Sequence, residues 1–266
     1  MSFNPNELVL EKIRAVEEYD PTTSELMGRY TQIEEPSLSF SSESTQVTDA
    51  MGSPIMTFYR AKSGTFSFTN SLFSLDLAAS QFGAAKEIAD ADNKLTVPVS
   101  EVLSIVDNKV VLKYTPVGTA GAEVKYVKII NSDNTFGKTY EVSATAGDEK
   151  FTIDAAARTI TLPEGTTGRV FVNYEKETDA AVKLANNAND SEPEVKTLLI
   201  HAIFHDPCNK NLVYAGVIRC ARAQINPESV ELSLKPDGKH GASYVLQKEF
   251  CAEANDTLCE IFVSQD

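Results

Sequence analysis

The sequence predicts a mainly β protein, built as a β-sandwich or partial barrel with one flanking helix and a small inserted β-sandwich domain. Short segments rich in Val, Ile, Thr, Phe and Tyr recur along the 266 residues, separated by Gly, Pro, Asn or Asp. Helical composition is confined to two places near the start. A chain of this length can bury a core without metal or disulfide support.

The two helix candidates differ in how well they are defined. Residues 7–19, ELVLEKIRAVEEY, fit a helical face and fit a strand equally well. Residues 74–91, SLDLAASQFGAAKEIADA, are rich in Ala and favour a helix. Ser74 is placed to cap that helix, and Gly83 would weaken its middle. We therefore expect one helix from the second stretch and leave the first open.

Two polar stretches predict the domain boundaries. Residues 89–100 form a passage that contains Pro, and residues 177–196 are poor in bulky apolar side chains. The sequence therefore predicts one β-domain from residues 1–95 together with 177–266, and an inserted β-domain from residues 96–176.

The segment FTIDAAARTITLPEGTTGRVFVNYEKE closes the predicted insert. It reads as two strands joined by a turn over residues 162–168. Val170, Val172 and Tyr174 alternate with polar residues and are expected on one face of the second strand.

Charge limits the classes of partner. The chain carries a formal net charge of −14, and binding to a polyanion by counterion release needs clustered Lys and Arg. Ordinary nucleic-acid binding is therefore not expected. Acidity also favours solubility, and runs such as Glu17–Glu18 and Glu34–Glu35 are typical of solvated faces.

The motifs in the sequence do not favour an enzymatic function. The fingerprints of dinucleotide, phosphate-loop, serine-hydrolase and zinc-hydrolase sites do not occur in it, and no cofactor is expected. His201, His205, Asp206 and Cys208 are the best metal candidates, but the Asp-Pro pair at 206–207 indicates a turn. Ordinary hydrogen bonds from the imidazoles at a strand end are the preferred interpretation.

The four cysteines lie in the last 60 residues and lack CxxC spacing. They are Cys208, Cys220, Cys251 and Cys259. Buried free thiols are expected, with a bridge between neighbouring strands as the alternative. The first twenty residues show neither the basic nor the apolar region of a signal peptide, so no export or membrane signal is expected.

Several stretches resemble the tail tube (major tail) proteins of tailed bacteriophages. They are TQIEEPSLSF at 31–40, VTDAMG at 47–52, FSFTNSLFSLDLAASQFG at 66–83, and the late strands of 212–251. Residues 96–176 resemble the immunoglobulin-like domains that phages insert into tail and capsid proteins. The resemblance implies a β-sandwich or half-barrel with a flanking helix, assembled as stacked and usually hexameric rings.

The resemblance also implies a set of partners and a location. The protein would contact copies of itself and other tail proteins such as the tape measure and tail terminator, with no membrane. DNA would pass through the channel during ejection without specific binding. The protein would be made in the host cytoplasm and reside in the virion tail.

Residues are assigned to these roles from their place in the resemblance. The candidates for facing the channel are Glu34, Glu35, Glu43 and Asp49, which lie just before or within the stretch PSLSFSSESTQVTDA. Subunit contacts are expected from a flexible connector, MTFYRAKSG at 56–64, and from residues 177–196. The inserted domain is expected to decorate the outside.

Two other functions stay open. A capsid decoration or head-tail connector protein shares β-domains and acidity but forms other oligomers. A surface adhesion or carbohydrate-binding β-protein belongs to a different class, and the absence of Trp counts against it, because sugar platforms rely on exposed aromatic faces.

Overall fold

The computed structural model describes residues 6–145, 147–187, 192–227, 232–236, 238–248 and 257–265. It divides into two compact units. Met1–Lys86 and Leu184–Asp266 together form the discontinuous unit, and Glu87–Lys183 form the inserted unit.

The described residues form seventeen strands and one helix, which confirms the mainly β class. The helix is α1 (Leu75–Phe82). The strands, in chain order, are β1 (Val9–Tyr19), β2 (Leu26–Tyr30), β3 (Ile33–Thr48), β4 (Pro54–Asn70), β5 (Glu87–Ile88), β6 (Leu95–Ser104), β7 (Lys109–Val111), β8 (Tyr126–Ile130), β9 (Phe136–Val142), β10 (Lys150–Asp154), β11 (Thr159–Thr161), β12 (Arg169–Thr178), β13 (Val182–Lys183), β14 (Val195–His205), β15 (Val213–Ile225), β16 (His240–Leu246) and β17 (Glu260–Ser264).

One eight-stranded sheet builds the discontinuous unit. Its order is β2-β1-β14-β15-β16-β4-β3, and β17 pairs with β15 beside that path. The sheet settles the first helix candidate as a strand, because β1 runs antiparallel between β2 and β14. Its side chains at Ala15 and Val16 are buried, and Val16 belongs to the apolar core.

The core of this unit is rich in aromatic side chains. Phe66 and Phe68 of β4 pack beside Tyr30 of β2 and Tyr244 of β16, with ring centroids 5.6 to 6.3 Å apart. Aliphatic side chains of β14 and β15 fill the remaining space. Burial of these large rings is a main source of stability in the unit.

Helix α1 is shorter than the sequence predicted. The Ser74 hydroxyl accepts the N–H of Leu77 at 3.2 Å, so the predicted N-cap is confirmed. Gly83 adopts the left-handed conformation, with φ 61°, and ends the helix instead of lying in its middle. Among the described residues, no helix is long and apolar enough to span a membrane.

The inserted unit holds a seven-stranded sheet in the order β6-β12-β8-β9-β10-β11-β7. A second, two-stranded sheet pairs β5 with β13, and the Lys183 ammonium lies 3.0 Å from the Glu87 carboxylate. This short ladder joins the two ends of the unit, which therefore extends beyond the predicted limits of 96–176.

The closing segment of the insert differs from the prediction of two paired strands. It contains three strands, and β11 pairs with β10 and β7, whereas β12 pairs with β6 and β8. The predicted face is confirmed, because Val170, Val172 and Tyr174 are all buried in the core of the unit. Residues 162–168 therefore carry the chain between non-adjacent strands.

A buried polar network joins β1, β14, β16 and α1. The Lys196 ammonium lies 2.7 Å from the Glu18 carboxylate, and the Ser80 hydroxyl donates to the same carboxylate at 2.8 Å. Tyr244 donates its hydroxyl proton to the other Glu18 oxygen. The Glu18 side chain is 0% exposed, so the interpretation of Glu17–Glu18 as a solvated run is wrong for Glu18.

A second set of polar contacts fixes the end of α1. The Gln81 side chain donates to the Gly241 carbonyl oxygen at 2.7 Å, and its amide oxygen lies 2.7 Å from the His240 Nε2. Burial lowers the pKa of His240, which favours the neutral imidazole. The Phe73 ring stacks on that imidazole with centroids 5.6 Å apart.

Breaking the buried ion pair on one side should destabilise the discontinuous unit strongly. Lys196→Met leaves the Glu18 carboxylate buried without its cation, and we expect a loss of about 3–5 kcal/mol in the free energy of unfolding. Urea titration followed by circular dichroism measures this loss.

The matched control is the double variant Glu18→Leu/Lys196→Met, which removes both charges. It should lose less than the sum of the two single variants, because no unpaired charge remains. Additive losses would show that the two side chains are not energetically coupled.

Candidate assembly surface

Strands β3 and β4 extend far beyond the sheet that holds them. Strand β16 pairs with β4 only between Gly64 and Asn70. From Ser41 to Ser63 the two strands pair with each other and, within the described residues, with no further strand. We call residues 41–63 the hairpin arm.

The arm carries large apolar side chains that are exposed to solvent. Their exposed fractions run from 44 to 91%. They are Val47, Met51, Ile55, Met56, Phe58 and Tyr59. A two-stranded ribbon on its own is marginally stable in water, and contiguous exposed apolar surface marks a contact with another molecule.

Both faces of the arm carry exposed apolar side chains. Val47 lies opposite Met56 on one face, and Phe58 follows two positions later on the same face. Tyr59 alternates onto the opposite face, and Ile55 lies exposed at an irregularity of the ladder. A partner that covers one face would therefore leave apolar side chains on the other.

The expected flexible connector at residues 56–64 is part of this arm. The structure places it inside β4, paired with β3 apart from an irregularity at Ala61, so the prediction of a flexible connector is wrong. The β-branched and aromatic residues Thr57, Phe58 and Tyr59 favour a strand, but the sequence did not show which strand would pair with them.

The first two channel candidates lie at the base of the arm. The Glu34 carboxylate accepts the Ser71 hydroxyl and pairs with the Lys239 ammonium, which lowers the pKa of Glu34. Glu35 is exposed at an irregularity in the β3–β4 ladder, with φ 49°. Its side chain is therefore available to solvent.

The other two candidates lie further out. Glu43 is exposed on the arm, opposite Arg60. The Asp49 carboxylate accepts the backbone N–H of Met51 at 2.9 Å and of Ser53 at 2.8 Å, which holds the turn at the tip. Strands rise about 3.3 Å per residue, so the four acidic residues are spread from base to tip and do not form one cluster.

Comparison with family models identifies the family of this chain. A model of the YomU/Tube protein family matches residues 8–257, which is most of the chain. The chain belongs to the YomU/Tube protein family. A search of the curated proteins finds no match.

Membership in the YomU/Tube family confirms the predicted kinship with phage tube proteins at the level of the family. The matched range contains the hairpin arm, helix α1 and the whole inserted unit. The immunoglobulin-like character of residues 96–176 stays a prediction.

Two histidines of this YomU/Tube chain, His201 and His205, tie β14 to β1. The His201 Nε2 lies 3.0 Å from the Glu17 carboxylate, and the His205 Nε2 lies 2.6 Å from that of Glu11. The hydrogen bond to Glu11 raises the pKa of His205, and the same bond lowers the pKa of Glu11. In the part of the chain described, no three His, Cys, Asp or Glu side chains gather as a metal site.

The cysteines follow the prediction only in part. Cys220 is a buried free thiol, and burial raises its pKa to about 12. Cys208 is free but exposed, so its predicted burial is wrong. Cys259 is a half-buried free thiol that packs against the same core as Cys220. Cys251 lies outside the described residues.

The pair of His205 and Glu11 predicts a pH-dependent stability. The pKa of His205 is raised above 6.5, so the stabilisation is fully present below 6.5 and is lost as pH rises through the raised value. The pKa of Glu11 is lowered from 4.5, so the stabilisation that ionised Glu11 contributes is lost as pH falls through the lowered value. We expect His205→Gln to destabilise the protein more at about pH 6 than at about pH 8.5.

Unfolding titrations of the two proteins at both pH values measure this difference. The control is Glu11→Gln, in whose background His205→Gln should lose most of that pH dependence. Equal destabilisation at both pH values would contradict the assignment.

Proposed function

We propose that this chain is the protomer of a bacteriophage tail tube. Copies join through the hairpin arm into rings, the rings stack, and DNA passes along the acidic central channel during ejection. The observation that carries this proposal is the arm, which extends from the sheet with apolar side chains on both faces. Membership in the YomU/Tube family supports it.

The arm has two means of binding a neighbouring copy. Its exposed side chains gain about 25 cal/mol for each Å² of apolar surface removed from water. Among the described strands β3 ends the order of the sheet, so its outer edge offers N–H and C=O groups that none of them pairs. A strand from the next protomer can pair there, and repetition around a ring closes the sheets into a barrel with no free edge.

The distribution of charge supports a channel built by the discontinuous unit. That unit holds 23 acidic against 13 basic residues, whereas the inserted unit holds 15 against 11. The net charges are −10 and −4, so most of the acidity lies outside the insert. An acidic wall repels phosphates and lets DNA pass without adhering.

We place Glu34, Glu35, Glu43 and Asp49 along that wall. Glu35 and Glu43 are exposed and present their carboxylates to solvent. Glu34 and Asp49 add negative charge while they also hold the base and the turn of the arm.

The role is structural and non-enzymatic. The protein's partners are further copies of itself, in rings that we take to be hexameric, and tail proteins such as the tape measure and the terminator. It is made in the host cytoplasm and resides in the phage tail.

Negative-stain electron microscopy of the concentrated protein tests the proposal. Rings or tubes with a central hole of roughly 20 Å or more, wide enough for a DNA duplex, are the expected result. Trimers or closed shells would contradict the tube and favour a capsid decoration protein.

Removing apolar side chains from the arm should block assembly without unfolding the protomer. We expect Met56→Ser/Phe58→Ser to raise the protein concentration needed for assembly at least about tenfold, because two exposed contact side chains are lost. Light scattering against protein concentration measures the effect.

The matched control is Val106→Ser/Val111→Ser, which changes two exposed valines of the inserted unit. It should assemble like the unaltered protein. Equal behaviour of the two variants, with unchanged circular dichroism, would show that the arm is not the contact.

Neutralising the exposed channel candidates should make assembled tubes retain DNA. We expect Glu35→Gln/Glu43→Gln tubes to hold several-fold more of a short duplex at low salt, because the repulsion of phosphate weakens. Co-sedimentation of labelled DNA with tubes measures retention.

Glu164→Gln/Asp179→Asn is the control, since it removes two exposed acids of the inserted unit. If both variants retain the same amount of DNA, Glu35 and Glu43 do not line the channel.

A further inference from the structure

One sheet face of the inserted unit is covered by its core and the other is open. Strands β6, β12, β8 and β9 are neighbours in the sheet. Their inward side chains, among them Val127, Val170 and Val172, are buried in the core of the unit. The outward side chains of these strands alternate with the inward ones and meet solvent.

These outward side chains include an unusual group of apolar and cationic residues. The group, which we call the outer-face patch, consists of Val102, Tyr126, Lys128, Phe136, Arg169 and Phe171. Val102, Tyr126 and Phe136 are 53, 57 and 60% exposed.

The members of the patch touch one another across four strands. Phe171 lies opposite Val102 on one side and Lys128 on the other. The Phe136 and Phe171 rings meet edge to face with centroids 5.9 Å apart, and the Lys128 ammonium lies 5.6 Å from the Phe136 centroid. Arg169 lies next in line and donates to the Asn134 side chain at 2.6 Å. The patch is therefore ordered by its own contacts.

The composition of the patch is that of a protein interface. Exposed Phe and Tyr with Arg are the residues that supply most of the binding energy in such contacts. Both charged members are cations, in a chain of net charge −14. Acids in this part of the unit include Glu141, opposite Tyr126, and Asp133, whose carboxylate is held by Thr135. The patch is therefore complementary to an acidic, partly apolar protein surface.

We propose that the outer-face patch docks on the discontinuous unit of a second copy of this chain. That unit carries the net charge of −10, and it exposes apolar side chains beside acidic ones, such as Leu26 and Met27 next to Glu25. Charge complementarity thus selects another copy as the occupant. This inference rests on the proposed function and assigns the insert to assembly, whereas a purely decorative insert would leave the patch uncovered.

The contact is heterologous, because the two surfaces that meet are different. Each copy then offers one free patch and one free acidic surface, so the contact repeats from copy to copy. Repetition of this kind fits both the closure of a ring and the stacking of successive rings.

Self-association of the full chain tests the inference. Phe136→Ser/Lys128→Glu removes an exposed apolar side chain and reverses a charge within the patch, and Val111→Ser/Lys94→Glu does the same at exposed positions outside it. Sedimentation velocity at about 50 and about 500 mM salt separates the electrostatic part of the association.

The expected result is at least about tenfold weaker association for the patch variant and no change for the control. High salt should weaken association of the unaltered protein more than that of the patch variant, because an attraction between opposite charges is screened. Circular dichroism of the variants confirms that they are folded.

The outcomes separate this inference from the proposed function. If the unaltered protein forms tubes and the patch variant assembles equally well, the inference is overturned and the tube stands. If no tubes form but a patch-dependent association remains, the proposed tube function is contradicted and the docking inference is supported. If the unaltered protein stays monomeric, both the tube and the docking are overturned. Patch-dependent binding to an acidic polysaccharide, with association unchanged, would also overturn docking on a second copy.

Discussion

The buried pair of Glu18 and Lys196 is the constraint on which the discontinuous unit depends. Its two charges come from β1 and β14, and Ser80 of α1 and Tyr244 of β16 complete the hydrogen bonds of the carboxylate. A charge that is buried without partners costs several kcal/mol, so these elements are held in one arrangement. Helix α1 docks through this network and through Gln81, with Leu77 as its large apolar anchor.

The hairpin arm, unlike the interior, leaves large apolar side chains exposed. The buried charges of the interior are paired within the same chain, whereas the arm exposes Met56, Phe58 and Tyr59 to water. Strands β3 and β4 are anchored at their base by β16 and by the contacts of Glu34 with Ser71 and Lys239. A rigid base with an apolar extension is suited to reaching a neighbour, because less order has to be created on binding.

The two units differ in net charge and in the side chains that they expose. The discontinuous unit holds most of the net negative charge, which suits the channel wall that we propose. The inserted unit is closer to neutral and presents aromatic rings with two cations on one sheet face. Acidity in one unit and a cationic apolar patch in the other give copies of the same chain complementary surfaces.

The sequence by itself determined the features that depend on neighbours in the chain. Alternating apolar residues gave the strands and the buried face of Val170, Val172 and Tyr174, and Ser74 marked the start of the helix. Only the tertiary structure decided which strands pair, how far the arm extends, and that Glu18 is fully buried and its neighbour Glu17 largely so. The physical reason is separation along the chain: Lys196 lies 178 positions and Tyr244 lies 226 positions from Glu18. No local pattern encodes contacts that long-range strand pairing creates.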